Sequence, residues 1–237
     1  MNKKLYSARL SHDLFEVIDT EAALCDGQAP VVGYGGSQNW YTSKYGPKCG
    51  CGVAAAADII FYLNALKKQS FTVSKKQFIE FSDYLQKKYL QIIPNFGVNS
   101  FWLAIGMNRY FLKNKMPYRC YWKVSPILRW SRLEKMLKND IPVLLAVGNN
   151  FPIVWGKKKV NLYRKEADTR MDVAVYSHYV IVTAIDGDWL TISSWGRKYY
   201  IRKSEYEAYV RKYSLSMYSN VLDIIPVHRK SSNIKGD

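Results

Sequence analysis

The stretch GPKCGCGVAAAADIIFYL, residues 46–63, decides how the rest of the chain is read. From Gly52 to Leu63 it is apolar on almost every side, which predicts a buried helix, and its four alanines would let neighbouring elements approach closely. Cys51 stands at the head of that helix. A thiol reacts as the thiolate, and the unsatisfied N–H groups of a helix N-terminus stabilise that anion, so the placement predicts a thiol of lowered pKa. The competing reading is a buried cysteine that packs as a small hydrophobe.

Working outward, Ser74 to Gln77 is a capping box ahead of Phe78, Phe81 and Leu85, so a second helix should start there. Asn99 opens a helix over Phe101 to Leu112, and Ser131 to Glu134 reads as the cap of another, whose Leu133, Met136 and Leu137 recur at helical spacing. Beyond Asp140 the pattern turns to strands, beginning with Ile141 to Val147. The run Val173 to Ile185 ends in Asp186-Gly187, a two-residue hairpin signal leading into Trp189 to Trp195, and Lys198 to Arg202 completes a meander. Ser204 to Glu207 reads as a capping box for a surface helix, and Val221 to Val227 as a returning strand. The prediction is an α+β fold, one domain over 1–237, with a helical half at about 46–140 packed on a twisted antiparallel sheet at about 141–228.

The 237 residues carry 35 Lys+Arg against 19 Asp+Glu, a net charge of +16, and are 48% hydrophobic and 15% aromatic. That excludes a disordered or collagen-like chain. No apolar run reaches the roughly 18 residues of a membrane span, and the first residues lack the apolar core of a signal peptide, so a cytoplasmic location is expected. The basic residues fall in short clusters such as Lys67-Lys68, Lys87-Lys88 and Lys157 to Lys159, which predicts at most weak, nonspecific polyanion binding. Cys25, Cys49, Cys51 and Cys120 are too few for a disulfide framework and are read as free thiols. Cys49 and Cys51 lack the further ligands at useful spacing that a zinc site needs, so no metal is expected.

A cysteine nucleophile needs a base, and the chain has three histidines. His12 and His228 lie in polar company near the termini and read as surface residues, whereas His178 opens a strong strand. By period-two alternation it shares a face with Val180, Val182 and Ala184.

These segments resemble the papain-like cysteine peptidase superfamily, in particular its bacterial C39-like branch. Gly50-Cys51-Gly52-Val53-Ala54 is similar to the segment that carries that branch's nucleophile, and Ser177-His178-Tyr179-Val180-Ile181-Val182 to the strand that carries its base. Leu133 to Leu144 fits the capped helix and Pro-Val strand between them, and the likeness runs from about Gln38 to Val210. The resemblance implies a papain-like cysteine proteinase fold and a thiol protease or related acyl-transfer hydrolase without cofactor, acting on a peptide or other acyl or amide substrate. It implies further that Gln38, in Gln38-Asn39-Trp40, supplies the side-chain donor of an oxyanion hole together with the Cys51 N–H. The position that orients the histidine is Asp or Asn in such enzymes, and Ser193 of Ser193-Ser194-Trp195-Gly196 is its match here. A serine brings no negative charge, which opens the alternative of a catalytically degenerate papain-like protein with a binding role, and the basic charge opens a second, a polyanion-binding protein whose likeness to the family is accidental.

Overall fold

The computed structural model describes residues 5–22, 29–122, 129–148, 156–166, 170–215 and 219–227. Its axis is the helix predicted from the small apolar run, α2 (Cys51–Lys68), which follows the one-turn helix α1 (Gly46–Cys49). Val53, Ala56, Ala57, Ile59, Ile60, Tyr62 and Leu63 are all fully buried, so α2 meets other elements on every side. Its first turn is the closest approach. A Cβ on Gly52 would stand 3.2 Å from both Leu103 and Tyr179 and 3.3 Å from Val98, so a side chain there would push those neighbours outward.

Helix α3 (Lys75–Lys88) starts as predicted, with Ser74 and Gln77 forming both halves of the capping box. Helix α4 (Ser100–Lys113) is capped by the Asn99 side chain on the Phe101 N–H. Two predicted caps are corrected. Helix α5 (Arg129–Lys138) already contains Ser131, and α6 (Lys203–Tyr213) begins without a side-chain cap from its own sequence. Asp188 performs that task instead, accepting the Ser204 N–H at 3.0 Å and the Ser204 hydroxyl at 2.5 Å from across a hairpin turn.

The main sheet is antiparallel throughout. Its strands are β1 (Ser7–Arg9), β5 (Tyr118–Trp122), β6 (Val143–Val147), β7 (Val160–Tyr163), β8 (Met171–Val175), β9 (His178–Asp186), β10 (Trp189–Ser194), β11 (Arg197–Arg202) and β12 (Val221–Pro226). They run in the order β5-β12-β6-β9-β10-β11-β7-β8, with β1 added on β9. The predicted meander is β9-β10-β11, turning at Gly187 and at Trp195-Gly196. The apolar run expected over Val173 to Ile185 is divided, because Ser177 takes a left-handed conformation (φ 49°) that sends β8 to the far edge beside β7 and β9 into the centre. A small second sheet joins β2 (Glu16–Ile18) to β3 (Val31–Tyr34) antiparallel and to β4 (Thr72–Ser74) parallel.

Helices and sheets share one contiguous buried cluster that runs from Leu10 through α2 to Ile224. Asp140 ties three parts of it together, accepting from the Ser11 N–H at 2.8 Å, the Ser11 hydroxyl and the Tyr62 hydroxyl at 2.7 Å. The architecture is therefore α+β, with α2 laid against β6 and β9 of a large antiparallel sheet. Among the described residues no helix is long and apolar enough to cross a membrane.

Candidate active site

Gly50 forms the corner between α1 and α2. A Cβ there would lie 2.5 Å from the Gly46 carbonyl and 2.7 Å from the buried Tyr41 ring, so only glycine lets the chain turn this tightly against Tyr41. Cys51 follows as the first residue of α2, half-buried, among the N–H groups that a helix leaves without intrahelical partners. Its thiol pKa is nonetheless raised. Burial outweighs the Tyr179 and Gly52 N–H groups that favour the thiolate, which overturns the lowered value expected from the helix terminus alone.

His178 is the first residue of β9, opposite Val147 of β6. One face of its ring is covered by the Trp195 indole at 4.6 Å between centroids and an interplanar angle of 22°. Trp195 sits with φ 52° and Gly196 with φ 70° in the two-residue turn between β10 and β11. Two consecutive left-handed residues fit the twist of a tight hairpin, yet a large side chain in that region is uncommon and costs on the order of 1 kcal/mol or more. The turn is held there from outside, by the Tyr34 N–H on the Gly196 carbonyl and the Gly196 N–H on the Gly36 carbonyl, both at 2.9 Å. Enclosure drives the His178 pKa down to about 4, because burial penalises the imidazolium.

The residue that engages His178 is Ser194, whose hydroxyl is 2.8 Å from Nε2. Ser193 is turned away and donates to the Tyr34 carbonyl at 2.7 Å, which corrects its expected role as the orienting residue. The reason is a bulge. Thr191 pairs with Ala184 but Ile192 with Val182, so Thr183 has no counterpart in the β10 register and Ser193 falls opposite Ile181. Without that extra residue Ser193 would lie opposite Val182, on the His178 face; with it, Ser194 does.

Gln38 begins a short 3₁₀ turn, Gln38–Trp40, whose start is capped by the Ser37 hydroxyl. The amide is buried, and its Nε2 donates to the Pro47 carbonyl at 2.7 Å, four residues before Cys51. One amide hydrogen is thus anchored to the segment leading into α2, and the amide nitrogen carries a second.

Gln38, Cys51, His178 and Ser193, drawn from separate elements, line one cavity of about 10 Å³, room for about one water. Three further residues on it had no role assigned from the sequence: Ser194 and Trp195, which the Ser193-Ser194-Trp195-Gly196 motif contains, and Asp58. The first two depend on the bulge and the tight turn, which no local pattern announces. Asp58 had a signal, as the sole charged residue between Gly52 and Leu63.

Of the remaining candidates, His12 is exposed as expected and stacks near Phe71, with 4.3 Å between ring centroids. Cys120 is buried, donates to the Ala104 carbonyl at 3.4 Å and has its pKa pushed up to about 12 by burial. Cys25 and His228 lie outside the described residues. Cys49 is half-buried at the end of α1, and among the described residues no three His, Cys, Asp or Glu side chains come together as a metal-binding group. No protein-family model matches the chain, and no curated protein matches it.

Proposed function

We infer that the chain is a cysteine peptidase or related thiol acyl-transfer hydrolase of papain-like type. The observation that carries this reading is the convergence of Cys51, His178 and Gln38 on one cavity, with the free nitrogen of His178 left available because Nε2 is engaged by Ser194. In the resting site both partners are neutral, since burial raises the thiol and lowers the imidazole. His178 then works as a general base rather than as half of a standing ion pair. As Cys51 Sγ attacks the substrate carbonyl carbon, the thiol proton passes to His178 Nδ1 and the carbonyl electron pair moves to oxygen. The second Gln38 amide hydrogen and the Cys51 N–H are the donors for that oxyanion. His178 returns the proton to the departing amine or alcohol, leaving an acyl-cysteine, and in hydrolysis it activates the water that breaks the thioester. Ser194 accepts the Nε2–H and fixes the tautomer, supplying no charge.

A second reading has its own support. The neutral resting pair and a serine rather than a carboxylate at Nε2 of His178 suit a protein that keeps the fold for binding. One experiment separates the two: incubation with an activated acyl ester, followed by peptide mapping. The enzyme reading expects a transient acyl adduct on Cys51 that Cys51→Ala abolishes and His178→Ala slows at least tenfold. A thiol that stays unacylated, or is acylated equally with and without His178, favours the binding protein.

A further inference from the structure

Asp58 is a buried ionisable group that the Cys–His chemistry does not use. It lies on α2 seven residues after Cys51, two helical turns along the same face, and is 3% exposed. Its Oδ1 accepts the Gly36 N–H at 2.8 Å. The point where Gly35 would carry a Cβ is 3.1 Å from Asp58 Oδ2 and 2.8 Å from Ser193 Oγ, and Ser193 in turn holds the Tyr34 carbonyl. The turn Tyr34–Gly36 is thus gripped at one end by Ser193 and at the other by Asp58. Phe15 takes the Gly35 N–H at 2.9 Å. Neither glycine is replaceable: Gly35 has φ 67°, and a Cβ on Gly36 would fall 1.8 Å from the Phe78 ring. Two residues further along the chain is Gln38.

We propose that Asp58 is a positioning residue: its carboxyl fastens the Gly36 turn to the nucleophile helix and so sets the Gln38 amide and the Cys51 N–H to converge on one oxyanion. This rests on the reading of Cys51 as an acyl acceptor. Burial raises the Asp58 pKa well above its ordinary value, and a single backbone N–H only partly offsets it, which favours the neutral acid. Asparagine matches aspartic acid in shape and keeps an acceptor for the Gly36 N–H, whereas alanine and leucine leave that N–H without its partner.

The test measures two reactions of Cys51 in the full chain. Acylation by an activated ester passes through an oxyanion, and alkylation by iodoacetamide does not. D58A is expected to slow acylation roughly 10²-fold, comparable to loss of one oxyanion-hole donor, and to leave alkylation within about twofold. D58N should restore acylation to within about threefold, and D58A should add little in a Gln38→Ala background. Equal losses in both reactions, no loss in either, or a D58N variant as impaired as D58A would overturn the proposal. D58L replaces D58A if alanine prevents folding. Amide NMR keeps the test independent of turnover: the Gly36 N–H should lose exchange protection and the Gln38 side-chain resonances should move in D58A and not in D58N. If those signals respond while the wild-type chain is never acylated, the enzyme reading fails and the positioning of Gln38 stands. If they do not respond, the positioning fails whatever the ester shows.

Discussion

At the scale of single residues, two adjacent serines divide one task. Ser194 holds the His178 ring and Ser193 holds the Tyr34 carbonyl, so replacements at the two positions should fail differently. Ser194→Ala should slow Cys51 acylation about tenfold with little change in stability. Ser194→Asp should raise the His178 pKa from about 4 in an NMR titration, because a carboxylate accepting Nε2–H favours the charged ring. Ser193→Asp should instead destabilise the chain, since its oxygen stands 2.8 Å from where a Gly35 Cβ would be. An unmoved His178 pKa in Ser194→Asp would show that the 2.8 Å contact does not govern the ring. The acidic limb of stability follows from the same burial. His178 titrates near 4 in the fold and near 6.5 when unfolded, so its contribution is complete above pH 6.5 and is lost as pH falls toward 4. Asp58 has the opposite sign: its folded pKa is raised, so stability falls as pH climbs above about 3.8. Between pH 4 and 6.5 the two slopes oppose each other, so relative to the wild type the urea midpoints should fall with rising pH in His178→Ala and rise in Asp58→Asn. Profiles that superimpose on the wild type would show that neither group is desolvated as described.

At the scale of elements, the two capped helices separate local from tertiary control. Ser74 and Gln77 cap α3 within four residues of sequence, and both halves of that box were legible. The equivalent Ser204 to Glu207 pattern does not cap α6, because Asp188 reaches its N-terminus first. Asp188→Ala should cost about 1 kcal/mol by urea denaturation, as loss of a cap does, although Asp188 lies outside the helix it caps. Glu207, the fourth residue of that pattern, is drawn to the Trp130 indole N–H at 2.5 Å, which is why it cannot fold back on the α6 start. An unchanged midpoint would return the cap to α6's own first turn. The long strand run around His178 teaches the same lesson. Val173 to Ile185 has uniform β-propensity, and only the left-handed Ser177 decides that it forms two strands in different parts of the sheet.

At the scale of the whole molecule, the charge of +16 has a structural distribution that composition does not reveal. Lys67 and Lys68 close α2, Lys87 and Lys88 close α3, Lys135 and Lys138 close α5, and Arg211 and Lys212 close α6. Cations there face the carbonyl ends of the helices, where the aligned peptide dipoles favour positive charge by some tenths of a kcal/mol each. Other cations rest on aromatic rings, Lys198 on Tyr34 at 4.5 Å and Arg164 on Tyr199 at 4.9 Å. Among the described residues these lysines are spread over separate helix ends. Binding to heparin or a single-stranded oligonucleotide should therefore be weak, indifferent to sequence and lost by about 150 mM salt. Retention of one particular oligonucleotide above that salt would favour the polyanion-binding alternative.

The sequence by itself determined the features that short-range physics governs. The buried helix after Cys51, the caps at Ser74 and Asn99, the β9-β10-β11 meander and the α+β class all follow from spacing, capping chemistry and hairpin signals within a few residues. Cys51 and His178 were legible as candidates from their local settings, a helix start and a strand start, and Gln38 only through the family resemblance of Gln38-Asn39-Trp40. Only the tertiary structure decided how they meet. A single bulge at Thr183 chose Ser194 over Ser193, because one extra residue in a strand exchanges its two faces. The turn that carries Gln38 is held by Asp58, Ser193, Phe15 and Gly196, groups distant in sequence whose bonds exist only once the core has closed. Burial also reversed the expected protonation of Cys51, since desolvation is a property of the folded interior and leaves no mark on the local sequence.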